Sequence, residues 1–560
     1  MGIGLILVEK GLITRDQLEQ ALAAQRESGE RLDRVLVRLG FVSRNQVLSA
    51  LGDQFQMPVV DLTALTPSRE VLETLPPKLV YRQSCVPIDR HNGTLTVATS
   101  DPFEITALDE LRLLTGCSIE LVLADEEELS KFIRVHYGVG GDTLDQLSTD
   151  QRDEPEVTAG DSPEIEQAEE ASVIKLVNDI LVEAVNERAT DVHIEPYEDE
   201  LVVRYRIDGI LQRANVPATI NRFGAAIVSR LKIMANLNIA EKRKPQDGRI
   251  TFVHRPANGP AQEFDLRMSV IPMLFGEGVV LRLLSKTAVL LSLNDLGMDP
   301  QTLARWDNLI TRPHGIVLVT GPTGSGKSTT LYASLNRIVS DEIKVITVED
   351  PVEYHVPKVN QIQVNTKTGL TFASGLRSIL RHDPDVVMVG EIRDKETAEV
   401  AIQASLTGHL VFSTLHTNDA AGATTRLLDM GVEPFLVSSS VEGVLAQRLV
   451  RRICAECAEP YEPQAEELPP DCELGPEASP MIGRGCRACR NTGFRGRVGV
   501  YELLQLDQHT REMIMERCNA PEIARRALAD GKLRLLKDDG YEKFRQGITT
   551  LSEVARALSA

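Results

Sequence analysis

The sequence predicts a multidomain α/β chain centred on a parallel sheet covered by helices, and three observations carry that reading. The first is length: 560 residues, at roughly 100 to 200 per domain, make about three to five domains. The second is the pattern beyond Leu296, where apolar strand-like runs, Gly-rich turns and helical stretches alternate, as βαβ units require. The third is Gly315-Ile-Val-Leu-Val-Thr320, a continuous apolar run suited to a buried parallel strand, which passes directly into Gly321-Pro-Thr-Gly-Ser-Gly-Lys-Ser-Thr329.

Composition narrows the class. A chain 42% hydrophobic and 25% charged packs ordinary cores and is not collagen-like, coiled-coil or wholly disordered. Lys and Arg number 61 against 81 Asp and Glu, a net charge of −20, which disfavours binding to a phosphate backbone, so no nucleic-acid partner is expected. No apolar run approaches the 18 or more residues that a spanning helix needs. The opening Gly2-Ile-Gly-Leu-Ile-Leu-Val8 has no basic segment before it and ends at Glu9-Lys10, a poor secretory signal, so a cytoplasmic location is expected. Eight cysteines are too few for a disulfide scaffold, and metal is the better reading of the four that fall in pairs.

In chain order, residues 1–58 contain a repeat. Gly2-Ile-Gly, Leu7, Leu18, Leu22 and Gln25 recur as Arg31-Leu-Asp, Leu36, Val47, Leu51 and Gln54, at a constant offset of 31 − 2 = 29. Leu18, Leu22 and Gln25 share one helix face, so each copy reads as two short helices and the pair as a small helical N-terminal domain. Residues 59–137 mix strand-like runs (94–98, 118–123) with helical ones (107–114, 126–137), a small α+β domain. From 138 to 171 the chain turns to Gly, Ser, Thr, Pro and acid, with Arg152 the only basic residue, which makes a self-repelling linker. Order resumes at Ser172, an expected N-cap, before the stripe Val173, Leu176, Val177, Ile180, Leu181 and Ala184. With alternating strands at 201–207 and 263–270, residues 172–290 read as a mixed α/β domain. Residues 291–450 hold the phosphate-loop core, 451–500 a cysteine-bearing subdomain and 501–560 a C-terminal helical region.

The nine residues Gly321, Pro322, Thr323, Gly324, Ser325, Gly326, Lys327, Ser328 and Thr329 form a phosphate loop in its required context, a buried strand before it and a helix after it. The glycines let backbone N–H groups wrap a phosphate, Lys327 reaches the β- and γ-phosphates, and the Ser328 hydroxyl ligates Mg²⁺. Two acidic clusters follow strand-like runs: Glu349-Asp350-Pro-Val-Glu353 and Gly390-Glu391-Ile-Arg-Asp394. Both belong at the C-terminal edge of a parallel sheet, where one acid can polarise water and another can hold the Mg²⁺ shell. Glu353 and Asp394 lie further along and read as structural. A further apolar strand carries His409 and His416 at its ends; neutral His416 is placed to contact the γ-phosphate, while His409 reads equally well as a structural residue.

On the strand Leu201-Val-Val-Arg-Tyr-Arg-Ile-Asp208, period two puts Arg204 and Arg206 on one face with Asp208. That face is either solvated or supplies arginine fingers to a neighbouring subunit. Cys454-Ala-Glu-Cys457 and Cys486-Arg-Ala-Cys489 have the knuckle spacing of a tetrahedral zinc site, closed and therefore structural, with an insertion between the pairs and disulfides as the competing reading. Cys85, Cys117, Cys472 and Cys518 read as ordinary free cysteines.

In this order the stretches 321–329, 346–353, 383–394 and 409–416 resemble the secretion ATPases of type II secretion and type IV pilus systems, over residues 172–556. The resemblance implies a RecA-like P-loop NTPase core in which these stretches are the Walker A, aspartate-box, Walker B and histidine-box motifs. It makes Glu349 the catalytic glutamate and Glu391 the Walker B acid near Mg²⁺. The four cysteines match the metal-binding subdomain of secretion and pilus-assembly members, which retraction members lack. Residues 240–249 and 293–298 look closest to the type II secretion branch. The N-terminal repeat resembles the cyclic-di-GMP-binding tandem motif found on some of these ATPases, matching it at Leu7, Leu18, Leu22, Gln25, Arg31, Leu36, Val47, Leu51 and Gln54. It departs from that motif's Arg-Leu-Gly opening at Gly2 and Asp33, which leaves docking to a membrane partner as the other reading. The resemblance thus implies a homo-hexameric ATPase using ATP, Mg²⁺ and Zn²⁺ at the cytoplasmic face of the inner membrane, acting on platform and docking proteins. The alternatives are pilus assembly, a nucleic-acid translocase or a non-hydrolysing adaptor.

Overall fold

The structure is a computed structural model that describes residues 3–28, 32–62, 65, 67–100, 108–138, 171–256, 261–285, 291–464 and 466–559. All but the ends of the expected 138–171 linker fall outside the described residues. The chain forms two units, Met1–Leu283 and Leu284–Ala560.

The first unit opens with four helices, Ile3–Glu9, Arg15–Ser28, Leu32–Arg38 and Arg44–Phe55. The 29-residue repeat reappears in their caps. Thr14 and Gln17 bond each other's backbone N–H groups reciprocally, and so do Ser43 and Gln46, 29 residues on. Leu7, Leu18, Leu36, Val47 and Leu51 are the packed core of this bundle. The α+β region follows with β1 (Cys85–His91), β2 (Thr94–Thr99) and β3 (Ser118–Leu123). The β1–β2 pair is antiparallel and the β2–β3 pair parallel, with the helix Leu108–Thr115 making the crossover.

The next helix runs Ala171–Asn186, so Ser172 sits inside its first turn and is not the cap. Its apolar stripe, Val173 to Ala184, packs on Val203 and Tyr205. The strands beneath are β4 (Asp191–Pro196), β5 (Leu201–Ile207), β6 (Ile210–Arg213), β7 (Gln246–His254), β8 (Gln262–Met273) and β9 (Gly276–Ser285), in the order β6-β5-β4-β9-β8-β7. The pairs β4–β5, β4–β9, β5–β6 and β7–β8 are all antiparallel. The expected mixed α/β domain is thus an antiparallel sheet with helices on it, because hairpin connections join most of these strands and leave no room for a crossover helix between them.

The second unit is built on β10 (Gly315–Thr320), β11 (Val345–Glu349), β12 (Val359–Gln363), β13 (Val386–Val389), β14 (Leu410–Leu415) and β15 (Val441–Ile453). The small pair β16 (Ala458–Pro460) and β17 (Met481–Gly483) follows, then β18 (Phe494–Gln505). The main sheet has the order β12-β11-β13-β14-β10-β15-β18. Its first six strands run parallel, and β18 closes the edge antiparallel to β15. Two boundaries move accordingly: β15 runs past 450, and the expected C-terminal helical region begins as the end of a strand. Both faces are covered. Ile316 and Leu318 enter one core cluster and Val317 and Val319 the other, which is why the strand reads as an unbroken apolar run.

The second cluster contains Trp306, fully buried, whose indole N–H donates to the Ser334 hydroxyl at 3.0 Å. Replacing Ser334 with Ala strands that donor, and the core should lose about 1–3 kcal/mol. Because Trp306 is the single tryptophan, urea titration followed by its fluorescence reads the loss directly; an unchanged midpoint would contradict the role given to this bond.

Candidate nucleotide and metal sites

The phosphate loop is shaped by how closely β15 approaches it. At Gly321 (φ +150°) a Cβ would stand 2.5 Å from the Gln447 carbonyl oxygen and 2.7 Å from the Ser325 hydroxyl. At Gly326 (φ +90°) it would stand 2.7 Å from the Gln447 amide nitrogen. Neither position accepts a side chain. Gln447 in turn accepts a hydrogen bond from the Thr330 hydroxyl at 2.7 Å, fixing the first turn of the helix Lys327–Ile338. Lys327 Nζ donates to the carbonyls of Gly321 (2.8 Å) and Pro322 (3.1 Å). Burial pushes its pKa down to about 8 against the pull of Glu391. The Ser325 hydroxyl is buried without a partner, whereas Thr323, Gly324 and Ser328 are exposed at the rim. A loop with a buried cation, an unsatisfied hydroxyl and a helix N-terminus behind it is built for an anion.

Both acids stand where the sequence predicted, at the C-terminal ends of β11 and β13. Glu391 pairs with Arg393 and lies 3.2 Å from His416 Nε2. Burial would raise its carboxyl, but Arg393 and His416 hold it below the usual range. Glu391 is also the acid whose field reaches Lys327, which suits an Mg²⁺-side role together with Ser328. Glu349 is buried and accepts three side-chain donors: Tyr332 from the phosphate-loop helix, Thr347 at 2.5 Å and Gln361 at 3.1 Å. Tyr332 also accepts from the Glu353 N–H at 3.2 Å, so one phenol holds both the acid and the loop after it. Thr320, Gln447 and Arg448 join Tyr332, Gln361 and Arg393 as residues the sequence reading missed. Gln361, Gln447 and Arg448 carry no local mark because they come from strands remote in sequence, whereas Thr320, Tyr332 and Arg393 lie within or beside the motifs and only their contacts are not legible there.

The other expected residues sort clearly. Asp394 caps the helix Lys395–Leu406 through Thr397 N–H at 2.8 Å and is structural. His409 bonds the Ala404 carbonyl at 2.9 Å beside Thr407 and is structural as well. Arg204 pairs with Glu195 at 2.6 Å, while Arg206 lies 3.7 Å from Asp191 and donates to the Gly209 carbonyl. Both are therefore engaged within their own sheet. Asp191 also pairs with Arg282 at 3.1 Å, and further along the same sheet Arg249 stands directly opposite Arg267. Asp191, Asp247, Arg249, Arg267 and Arg282 line a cavity of about 440 Å³, where cations outnumber acids.

The four expected cysteine ligands converge. Sγ–Sγ separations are 3.8 Å for Cys454–Cys486 and for Cys457–Cys489, and 3.7 Å for Cys486–Cys489. Four thiolates 2.3 Å from one zinc ion stand about 3.8 Å apart at the corners of a tetrahedron. A disulfide needs about 2.05 Å, so the arrangement fits a metal. Cys489 Sγ also accepts the N–H groups of Cys486 (3.1 Å) and Gly493 (3.3 Å); against burial, these bring its thiol down to about 7. The expected insertion is present: residues between β16 and β17 fold away, and Cys472 packs on Tyr541, Phe544 and Val554.

In the N-terminal repeat, Leu7, Leu18, Leu36 and Leu51 are buried and Leu22 partly so, so these positions pack the bundle. Arg31 and Gly2 lie outside the described residues, and the Gln54 side chain does too.

A phosphate loop, two strand-end acids and a helix-backed parallel sheet define an ATPase of the RecA-like class. Comparison with known proteins agrees. A family profile described as "Type II/IV secretion system protein" matches residues 166–556, and one described as "MshEN domain" matches 55–143. The chain is 42% identical to the type IV pilus assembly ATPase PilB of Myxococcus xanthus, over 99% of this chain and 98% of that one. It is 47% identical to the type II secretion system protein E of Pseudomonas aeruginosa, over 81% and 90% respectively. Among solved structures, the Yersinia pseudotuberculosis ATPase DotB aligns with a TM-score of 0.52 at 21% identity, covering 72% of this chain and 96% of that one; that likeness bears on the fold alone. The chain belongs to the type II/IV secretion system ATPase family, and it hydrolyses ATP.

Two outcomes follow from the site. Changing Tyr332 to Phe removes one donor from Glu349 at constant volume and should lower kcat about 10-fold with ATP affinity retained, whereas Glu349→Gln should bind ATP and turn over far more slowly still. Steady-state phosphate release with wild-type kcat in Tyr332→Phe would show that the phenol does not position the acid. Changing Cys454 and Cys489 to Ser should destabilise the cysteine subdomain while leaving ATP binding by the phosphate loop intact; metal analysis of reduced wild-type protein should return zinc at one per chain, within about a tenth.

Proposed function

We propose that the chain is the motor of a pilus-type assembly machine, working as a homo-hexameric ring that couples Mg²⁺-dependent ATP hydrolysis to pseudopilus assembly in type II secretion. The observation that carries this reading is the phosphate loop with Glu349 and Glu391 on neighbouring strand ends, in a chain that also holds the four-cysteine cluster. Lys327 and the loop N–H groups bind the phosphates, Ser328 and Glu391 hold Mg²⁺, Glu349 orients the attacking water, and His416, tied to Glu391, registers the γ-phosphate. Zinc on Cys454, Cys457, Cys486 and Cys489 is structural. The 47% identity to a type II secretion protein E supports the secretion branch. Type IV pilus assembly is the second reading, favoured by the full-length match to PilB. Both place the ring at the cytoplasmic face of the inner membrane, against platform and docking proteins; among the described residues no helix is long and apolar enough to cross a membrane. Cyclic-di-GMP is the candidate ligand of the N-terminal repeat, whose sequence carries Gln25, Arg31 and Gln54 as its polar positions.

Arginine donation between subunits belongs to this reading. Arg204 pairs with Glu195, and Arg206 and Arg282 share Asp191, so we extend the candidate donors from Arg204 and Arg206 to the arginines of the neighbouring cavity, Arg282, Arg267 and Arg249. Like charges directly opposite in a ladder repel, and an arriving phosphate relieves them. Arg282→Ala should depress turnover in the assembled ring with little change in ATP affinity. Mixing it with Lys327→Ala protein should restore some activity, because a mixed ring can set an intact loop beside an intact arginine. Mixing without recovery would show that Arg282 acts within its own subunit.

A further inference from the structure

We propose that Arg448 is a positioning residue of the ATPase site, tying the phosphate loop to Asn418 so that the loop and the segment after His416 hold one geometry during hydrolysis. The inference rests on the ATPase activity of the family and on nothing in the secretion reading. Arg448 projects from β15 and is only 5% exposed. Its Nη1 donates to the Gln447 carbonyl at 3.1 Å and its Nη2 to the Asn418 carbonyl at 3.0 Å. Its Nε is buried without an acceptor, and among the described residues it has no ion-pair partner. The same Nη1 would stand 3.2 Å from a Cβ at Gly321, so the guanidinium fills the space beneath the first glycine of the loop.

A buried guanidinium bonded only to neutral carbonyls is expensive, and an apolar side chain of similar volume would pack there at lower cost. What the cation supplies is a fork that braces its own strand at Gln447 and reaches a second segment at Asn418. One is the strand beneath the phosphate loop. The other leads from His416 into the helix Ala420–Asp429. That second segment is gripped from its far side too: Glu502, buried on β18, accepts the Ala420 N–H at 2.8 Å. Ala446 stands opposite Glu502 and Arg448 opposite Val500 in the β15–β18 ladder, so Arg448 and Glu502 are diagonal neighbours on one face. The cation takes a carbonyl at 418 and the carboxylate an N–H at 420. Thr320, the last residue of β10, closes the arrangement by accepting the Thr417 N–H at 2.9 Å. Through these contacts the stretch carrying His416 is held to the strand under the phosphate loop.

The test uses the full chain with Arg448→Lys, which keeps the charge and loses the fork, and Arg448→Met, which loses both. Steady-state phosphate release, affinity for a fluorescent ATP analogue and the thermal midpoint are measured for each. In Arg448→Met kcat should fall about 10- to 100-fold, and by a smaller factor in Arg448→Lys, as small misplacements of a reacting geometry do. ATP affinity and KM should stay within about threefold of wild type, with the midpoint of Arg448→Lys unchanged. Wild-type kcat in both variants overturns the proposal. So does a loss of ATP affinity that accounts for the whole fall in kcat/KM, since Arg448 would then serve binding alone. Where Arg448→Met does not fold, Arg448→Lys decides: reduced kcat with affinity retained supports positioning, and wild-type kcat overturns it.

Discussion

The nucleotide site depends on one close approach, that of β15 to the phosphate loop. Backbone and side-chain atoms of Gln447 occupy the volume where side chains at Gly321 and Gly326 would otherwise sit. The loop can take its wrapped form only because those positions have no Cβ, and the helix Lys327–Ile338 can start where it does only because Gln447 holds Thr330. β15 must therefore sit beside β10 in a fixed register, Val317 to Gly443 through Thr320 to Ala446. Gly443 permits that register, since a Cβ there would meet Leu309 at 2.6 Å. A slip of one residue would turn Gln447 away from the loop and present the wrong face of β15 to it. The catalytic geometry is in this sense a property of sheet register before it is a property of any motif.

Legibility in the sequence follows from the same fact. The phosphate loop is readable because nine consecutive residues carry its chemistry, and the cysteine cluster because each knuckle is four residues long. Glu349 and Glu391 were readable because an apolar run ending in acid marks a parallel strand and its ligand-binding end. Tyr332, Gln361 and Arg448 were not, since each acts across the fold on a partner from another element. Strand direction was hidden for a related reason. From Val498 to Leu504 β18 is buried on both faces like the parallel strands, so periodicity does not reveal that it runs backwards. In the first unit the alternation of β5 was read correctly, yet the antiparallel order of the sheet depends on hairpins whose turns carry few diagnostic residues.

The antiparallel closure explains the place of the cysteine cluster. β15 and β18 form a long hairpin, and Cys454 follows the first strand while Cys489 precedes the second. An excursion of this length between paired strands carries a loop-closure penalty, and the four converging cysteines stand at both ends of it near the ladder. Arg451, stacked 4.1 Å over Phe494 and bonded to Glu553, seals the junction on the side of the C-terminal helix. A metal held there would steady the strand that delivers Gln447 and Arg448 without touching the nucleotide site itself.

Charge supplies the remaining constraint. The chain carries a net charge of −20, and the nucleotide site adds to the deficit locally: two strand-end carboxylates stand against Lys327, the single side-chain cation of the loop. Arg393 is already paired with Glu391, and Arg448 is turned beneath the loop. The negative charge of a bound triphosphate is therefore under-compensated by these side chains. The first unit shows the opposite imbalance, with Arg249, Arg267 and Arg282 around a cavity that offers Asp191 and Asp247 in return. An excess of cations held on a rigid sheet and a deficit at a phosphate site, carried by one chain, is the electrostatic arrangement that a ring of identical subunits can satisfy by pairing each site with arginines from a neighbour.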